Sequence, residues 1–82
     1  MKLLRYSQHF LRSYYAAPQQ IQRAFDQKAS LLLQNLRHPS LRAKKYDESA
    51  GVWQARVTRD WRFYFTIEAD AYHLHEIKSH PK

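Results

Sequence analysis

Residues 51–68, Gly-Val-Trp-Gln-Ala-Arg-Val-Thr-Arg-Asp-Trp-Arg-Phe-Tyr-Phe-Thr-Ile-Glu, interleave large apolar side chains with arginines and other polar groups at the two-residue period of a β-strand. Because successive side chains on a strand point to opposite sides, this spacing sorts the segment into two faces. In its first half Trp53, Ala55 and Val57 share one face and Gln54, Arg56 and Thr58 the other. In its second half Trp61, Phe63, Phe65 and Ile67 oppose Arg62, Tyr64, Thr66 and Glu68. Arg59 and Asp60 fall between the halves, where a tight turn reverses the chain. The result is a hairpin with an apolar side that other elements must cover and a cationic side left to meet an anion.

The rest of the chain supplies the cover. Leu3-Leu4-Arg5-Tyr6 reads as a short strand, and Ser7 suits the N-cap of a helix over Gln8 to Ala16. Pro18 fits the first turn of a second helix, along which Ile21, Phe25, Leu32 and Leu36 recur near the helical period up to Arg37. Pro39 biases His38 away from helical geometry, which predicts a loop from Ser40 to Ala50 before Gly51, the only glycine, opens the sheet. After the hairpin, Ala69, Asp70 and Ala71 make a second turn into a last strand from Tyr72 to about Lys78. There Tyr72 and Leu74 are in phase but Ile77 is not, which predicts either a bulge or a sheet covered on both sides. The order is β-α-α-β-β-β, an α+β fold in which an antiparallel sheet carries both N-terminal helices on one face.

With 82 residues of uniform composition, the chain has material for one core and one domain spanning 1–82, with no room for a cofactor domain. The longest aliphatic run, Leu31-Leu32-Leu33, is far shorter than the roughly 20 residues that cross a bilayer, so no membrane partner is expected. No apolar signal-peptide core follows Arg5, which places the chain in the cytoplasm. The absence of cysteine excludes disulfides, thiolate zinc sites and thiol nucleophiles. A net charge of +7, spread from Arg5 to Lys82, predicts a polyanionic partner: RNA, DNA or an acidic protein.

Arg56, Arg59 and Arg62 lie on or beside the hairpin, with Lys44 and Lys45 in the loop before it. Charge on a strand can serve only to discourage aggregation. Here, though, the arginines interleave with Trp53, Trp61, Phe63 and Phe65, and planar guanidinium groups match phosphate oxygens in bidentate geometry. Most of these aromatics are expected in the core, which has few other large residues to fill it. His80 follows the last strand, where a side chain reaches the rim of the sheet, and imidazole is a common general acid or base. Asp60 is the only acid of the arginine-rich hairpin. His73 and His75 share a strand face, but no further ligand motif accompanies them, and no metal site is assigned. Leu31, Leu32 and Leu33 point in three directions around their helix, so an exposed remainder would suit an amphipathic segment of a protein partner.

Leu36-Arg37-His38-Pro39, Trp53-Gln54-Ala55-Arg56-Val57, Asp60-Trp61-Arg62-Phe63-Tyr64-Phe65 and the closing Ile77-Lys78-Ser79-His80 together resemble the RelE/ParE superfamily of bacterial type II toxins, with the YafQ branch the nearest. The specific part is the Trp-Arg-Phe-Tyr-Phe strand following a basic strand and preceding one that ends in histidine. The resemblance implies a microbial-ribonuclease-like fold and a metal-independent, cofactor-free endoribonuclease that cleaves mRNA, commonly on the ribosome, until an acidic antitoxin neutralises it. Position by position it implies Arg56 and Arg62 on the scissile phosphate and His80 in proton transfer, with Asp60 beside them as a catalytic residue. Lys44, Lys45, Arg59 and Trp61 would contact RNA. Arg56 stands where the YafQ branch has a histidine. The ParE branch inhibits DNA gyrase instead, so the alternative implied function is a gyrase inhibitor without catalytic residues. As an exposed strand residue, Arg62 is expected to tolerate alanine within about 0.5 kcal/mol of stability.

Overall fold

The computed structural model describes residues 2–80. Strand β1 (Leu3–Tyr6) leads into helix α1 (Gln8–Ala16), and the Ser7 hydroxyl caps that helix by accepting from the Phe10 amide at 2.9 Å. Ala17 is extended, as a residue before proline must be, and Pro18 sits at the N-cap of helix α2 (Gln19–Gln34). Ile21, Phe25, Ala29 and Leu32 form the buried stripe of α2. The helix ends three residues short of the expected Arg37. Asn35 is extended there and turns its side-chain oxygen onto the Arg37 amide at 3.0 Å, a local bond that competes with helical continuation.

The sheet has five strands in the order β1-β5-β4-β3-β2. The extra strand is β2 (Lys44–Asp47), in a segment that the sequence reads as loop. It is wholly exposed and exists because β3 (Val52–Thr58) offers it a pairing edge, Lys44 opposite Gln54 and Lys45 opposite Trp53. The hairpin of β3 and β4 (Trp61–Glu68) keeps the expected phase as far as the arginines, with Trp53 opposite Phe65, Ala55 opposite Phe63 and Arg56 opposite Arg62, before the register slips and sets Thr58 opposite Trp61. Strand β5 (Ala71–Ser79) pairs antiparallel with β4, and β1 adds to its other side in parallel. The α+β class stands, but the sheet is mixed where an antiparallel one was expected. Nothing in a four-residue strand distinguishes the two directions before its neighbour is known.

The phase of β5 is settled by a bulge. Between the pairs Tyr64–Glu76 and Phe65–Leu74 the register slips, leaving His75 without a partner. Leu74 and Ile77 therefore both reach the core, at 0% and 1% exposure, although they differ in parity. Beyond the end of β1, helix α1 seals this edge. Ser7 Oγ donates to the His75 carbonyl, and the Ile77 amide donates to Ser13 Oγ at 3.2 Å. Phe10, Phe25, Phe63 and Phe65 fill the layer between helices and sheet, the Phe25 and Phe63 rings meeting edge to face at 5.1 Å. Of the three leucines in series, Leu32 is in the core, Leu31 packs half-buried against it and Leu33 is exposed.

Candidate functional site

The face of the sheet turned away from the helices presents its polar residues in rows that cross the strands. Arg56 lies directly opposite Arg62, and Arg62 directly opposite Lys78, so three neighbouring strands place cations side by side. Adjacent strands are only about 4.8 Å apart, and like charges in register oppose pairing. Among the described residues no carboxylate forms an ion pair with either arginine, while Lys78 lies 3.8 Å from Glu76. A fold that holds two arginines in register without a paired carboxylate is preorganised for an anion.

The row opens into a hollow of about 470 Å³. Arg56 and Arg62 form one wall, Arg42, Lys44 and Lys45 come from the segment leading into and along β2, and His80 stands at the end of β5; Gln54 and Tyr46 complete the lining, which contains no acid. His80 is placed by its backbone, whose amide donates to the Asp60 carbonyl at 2.6 Å and so ties the end of β5 to the β3–β4 turn. Arg62 is fixed from the other side: one guanidinium nitrogen, Nη1, donates toward the carbonyls of Thr58 at 2.8 Å, Trp61 at 3.0 Å and Arg59 at 3.2 Å. The charge is thereby anchored on the turn. These bonds give Arg62 a structural role beside its place in the hollow.

Arg42 enters the hollow from a left-handed backbone conformation, φ 48°, that closes the single 3-10 turn Pro39–Leu41. Lys28 on α2 holds this turn by donating to the Ser40 carbonyl at 3.0 Å. Burial, and behind it the nearby Arg56 charge, holds the Lys28 ammonium below its ordinary 10.5, an independent sign of crowded positive charge. His38 caps the same turn, its Nδ1 accepting from the Ser40 amide at 3.2 Å.

The residues selected from sequence are thus divided. Arg56, Arg62, His80, Lys44 and Lys45 converge on one hollow. Asp60 does not line it and meets the site through its backbone carbonyl alone. Trp61 lies on the helix side, against the core and beside Ser13 and Ala16, as the strand alternation requires. Arg59 borders a flanking depression with Lys28, Arg42 and Arg56. Arg42, Tyr46 and Gln54 were not selected. Gln54 shares the Arg56 phase and was legible in the alternation, whereas Arg42 and Tyr46 lie in the segment without periodicity. Among the described residues, no group of three or more His, Asp or Glu side chains is arranged to hold a metal ion.

Two helices covering one side of a five-stranded mixed sheet are the fold of the RelE/ParE-superfamily toxins, and this chain has that fold. The particular structures it resembles include YafQ from E. coli strain BL21(DE3), 18% identical with a TM-score of 0.78 over 96% of this chain and 93% of that one. The archaeal RelE–RelB complex from Pyrococcus horikoshii OT3 aligns with a TM-score of 0.79 at 12% identity, over 99% and 97% of the two chains. The heterotetrameric YoeB–YefM toxin–antitoxin complex from Staphylococcus aureus aligns at 0.77 and 13%, over 99% of each. No protein-family model matches the sequence, and no curated protein matches it significantly.

Proposed function

We propose that this chain is the toxin of a toxin–antitoxin pair, an endoribonuclease that cleaves mRNA on the ribosome and is neutralised by an acidic antitoxin. The observation that carries the reading is the in-register pair Arg56–Arg62, with no carboxylate paired to either among the described residues, lining an acid-free hollow with an imidazole at its rim. A scissile phosphate seats between Arg56 and Arg62. His80 removes the proton of the adjacent 2′-hydroxyl, that oxygen bonds to phosphorus, and the P–O5′ bond breaks. The departing oxygen takes a proton from solvent, leaving a 2′,3′-cyclic phosphate and a free 5′-hydroxyl. Negative charge grows on the phosphoryl oxygens as the new bond forms, and fixed guanidinium groups stabilise it without having to reorganise. No metal is called on.

The antitoxin is supported by the company this fold keeps: RelE is seen with RelB and YoeB with YefM. Tyr6, Leu11, Tyr15 and Leu33 are exposed apolar residues of the kind an amphipathic segment covers. An acidic partner would also be steered by the +7 charge.

The test is primer extension on mRNA in a bacterial translation extract, run beside a gyrase supercoiling assay. Cleavage should appear with the wild-type chain and disappear with His80→Ala while circular dichroism stays native. Inhibition confined to gyrase would overturn the nuclease reading, and undiminished cleavage by His80→Ala would remove His80 from it.

A further inference from the structure

Beside the cationic hollow lies an aromatic shelf that the cleavage step does not use. Tyr46 on the edge strand β2 is 60% exposed, an unusual setting for so large a ring, and meets Tyr64 of β4 at a centroid distance of 5.0 Å and an interplanar angle of 64°. In this edge-to-face contact Tyr46 remains the open ring of the two. Tyr64 is held in place: it is 7% exposed, and the Lys78 ammonium stands over its ring at 5.3 Å. Burial pushes the Tyr64 hydroxyl above its ordinary value, so it remains a neutral donor. The two tyrosines wall a second depression of about 230 Å³, floored by Val52 and reaching His75 and Glu76, and Tyr46 borders both this depression and the hollow.

The spacing links shelf and hollow. Arg62 and Tyr64 occupy the same face of β4, two residues or about 7 Å apart, and Arg56 and Gln54 repeat that step on β3. Lys78 belongs to both, being in register with Arg62 and over the ring of Tyr64. A chain held by its phosphate on the arginine row is therefore led, one step along the strands, onto the exposed ring of Tyr46, which the buried Tyr64 and its cation Lys78 back.

Resting on the nuclease reading above, we propose that Tyr46, braced by Tyr64, forms the subsite that stacks one unpaired base adjoining the bound phosphate. It restricts the substrate to single-stranded RNA. Stacking on an aromatic side chain is tolerant of base identity and requires the base to be out of a duplex. Lys78 contributes by holding Tyr64 and by meeting the same nucleotide's backbone.

The test uses the whole chain and fluorescently labelled tetranucleotides with 2′-O-methyl riboses, which bind but cannot be cleaved. One oligonucleotide carries all four bases, and four others each lack one base. Tyr46→Ala should weaken the complete oligonucleotide by about tenfold and Tyr46→Phe hardly at all. One of the four abasic oligonucleotides should bind the wild type about tenfold more weakly and be indifferent to Tyr46→Ala. An RNA duplex of the same sequence should not show the Tyr46 effect. If Tyr46→Ala leaves all affinities unchanged, or lowers every one equally, while Arg56→Ala still weakens all of them, the shelf is not a base subsite and its exposed ring belongs to a protein contact. If Arg56→Ala also changes nothing, the phosphate site itself falls.

Discussion

Arg62 and Arg56 face each other across one pair of strands, yet truncating them should have opposite effects on stability. Arg62 Nη1 has three backbone acceptors between 2.8 and 3.2 Å. A hydrogen bond from a charged donor contributes about 1.5–3 kcal/mol. Nη1 carries two protons for these acceptors and the side chain is only half-buried, so the set is taken at about the worth of one such bond. Against this, alanine relieves the in-register opposition to Arg56 and Lys78, about 0.2–1 kcal/mol for each pair. Taking the middle of each range, Arg62→Ala should therefore destabilise the chain by about 1 kcal/mol, lowering Tm by about 4–8 °C for a domain of this size. Arg56 has no such anchor and is penalised by the same repulsion, so Arg56→Ala should change stability by no more than about 0.5 kcal/mol and in the favourable direction. Urea denaturation followed by fluorescence of Trp53 and Trp61 reads both. Equal destabilisation by the two substitutions, or an indifferent Arg62→Ala, would refute the reasoning. Both variants should still lose RNA cleavage, since each removes a charge from the phosphate wall.

Two further outcomes follow from local geometry. The folded state gives up the Lys28 proton more readily than the unfolded chain, so between the depressed value and 10.5 the unfolded state binds more protons. The penalty that Lys28 places on folding is thus full at neutral pH and fades as pH rises through that window. Arg56→Ala should move Lys28 toward 10.5 without reaching it, because burial is the larger cause; an NMR titration of the Lys28 side chain that does not change would refute the coupling. Ala69 holds a left-handed φ of 50° in the two-residue turn between β4 and β5. Ala69→Gly should raise stability by up to about 1 kcal/mol, read as an upward shift in Tm, and a lower Tm would show that the alanine is not strained.

Much of the site was legible because β-strands have a period of two. The alternation in residues 52–67 placed Arg56 with Gln54 and Arg62 with Tyr64 on one face, and put Phe63 and Phe65 in the core, without reference to any other part of the chain. The same rule carried Trp61 to the helix side: a residue in phase with Phe63 cannot also face the arginine row, so Trp61 stands outside the hollow. His80 was legible only as a position near the sheet rim. That its backbone is fastened to the Asp60 carbonyl, and that Asp60 contributes this carbonyl and not its carboxylate to the hollow, depends on how two hairpin ends meet.

What the sequence determined by itself is therefore the hairpin, its two faces, the helical cover and the cationic character of the surface. These follow from local periodicity and net charge, which need no knowledge of neighbours. What the tertiary structure alone decided is the direction of β1, the existence of β2, the bulge at His75, the anchoring of Arg62 and the meeting of Tyr46 with Tyr64. Each of these is a pairing between residues distant in the chain or brought together around a turn. Lys-Lys-Tyr-Asp carries no strand signal of its own; an unpaired edge of β3 gives its backbone somewhere to bond, and in doing so sets an exposed tyrosine and Lys44 beside the arginines.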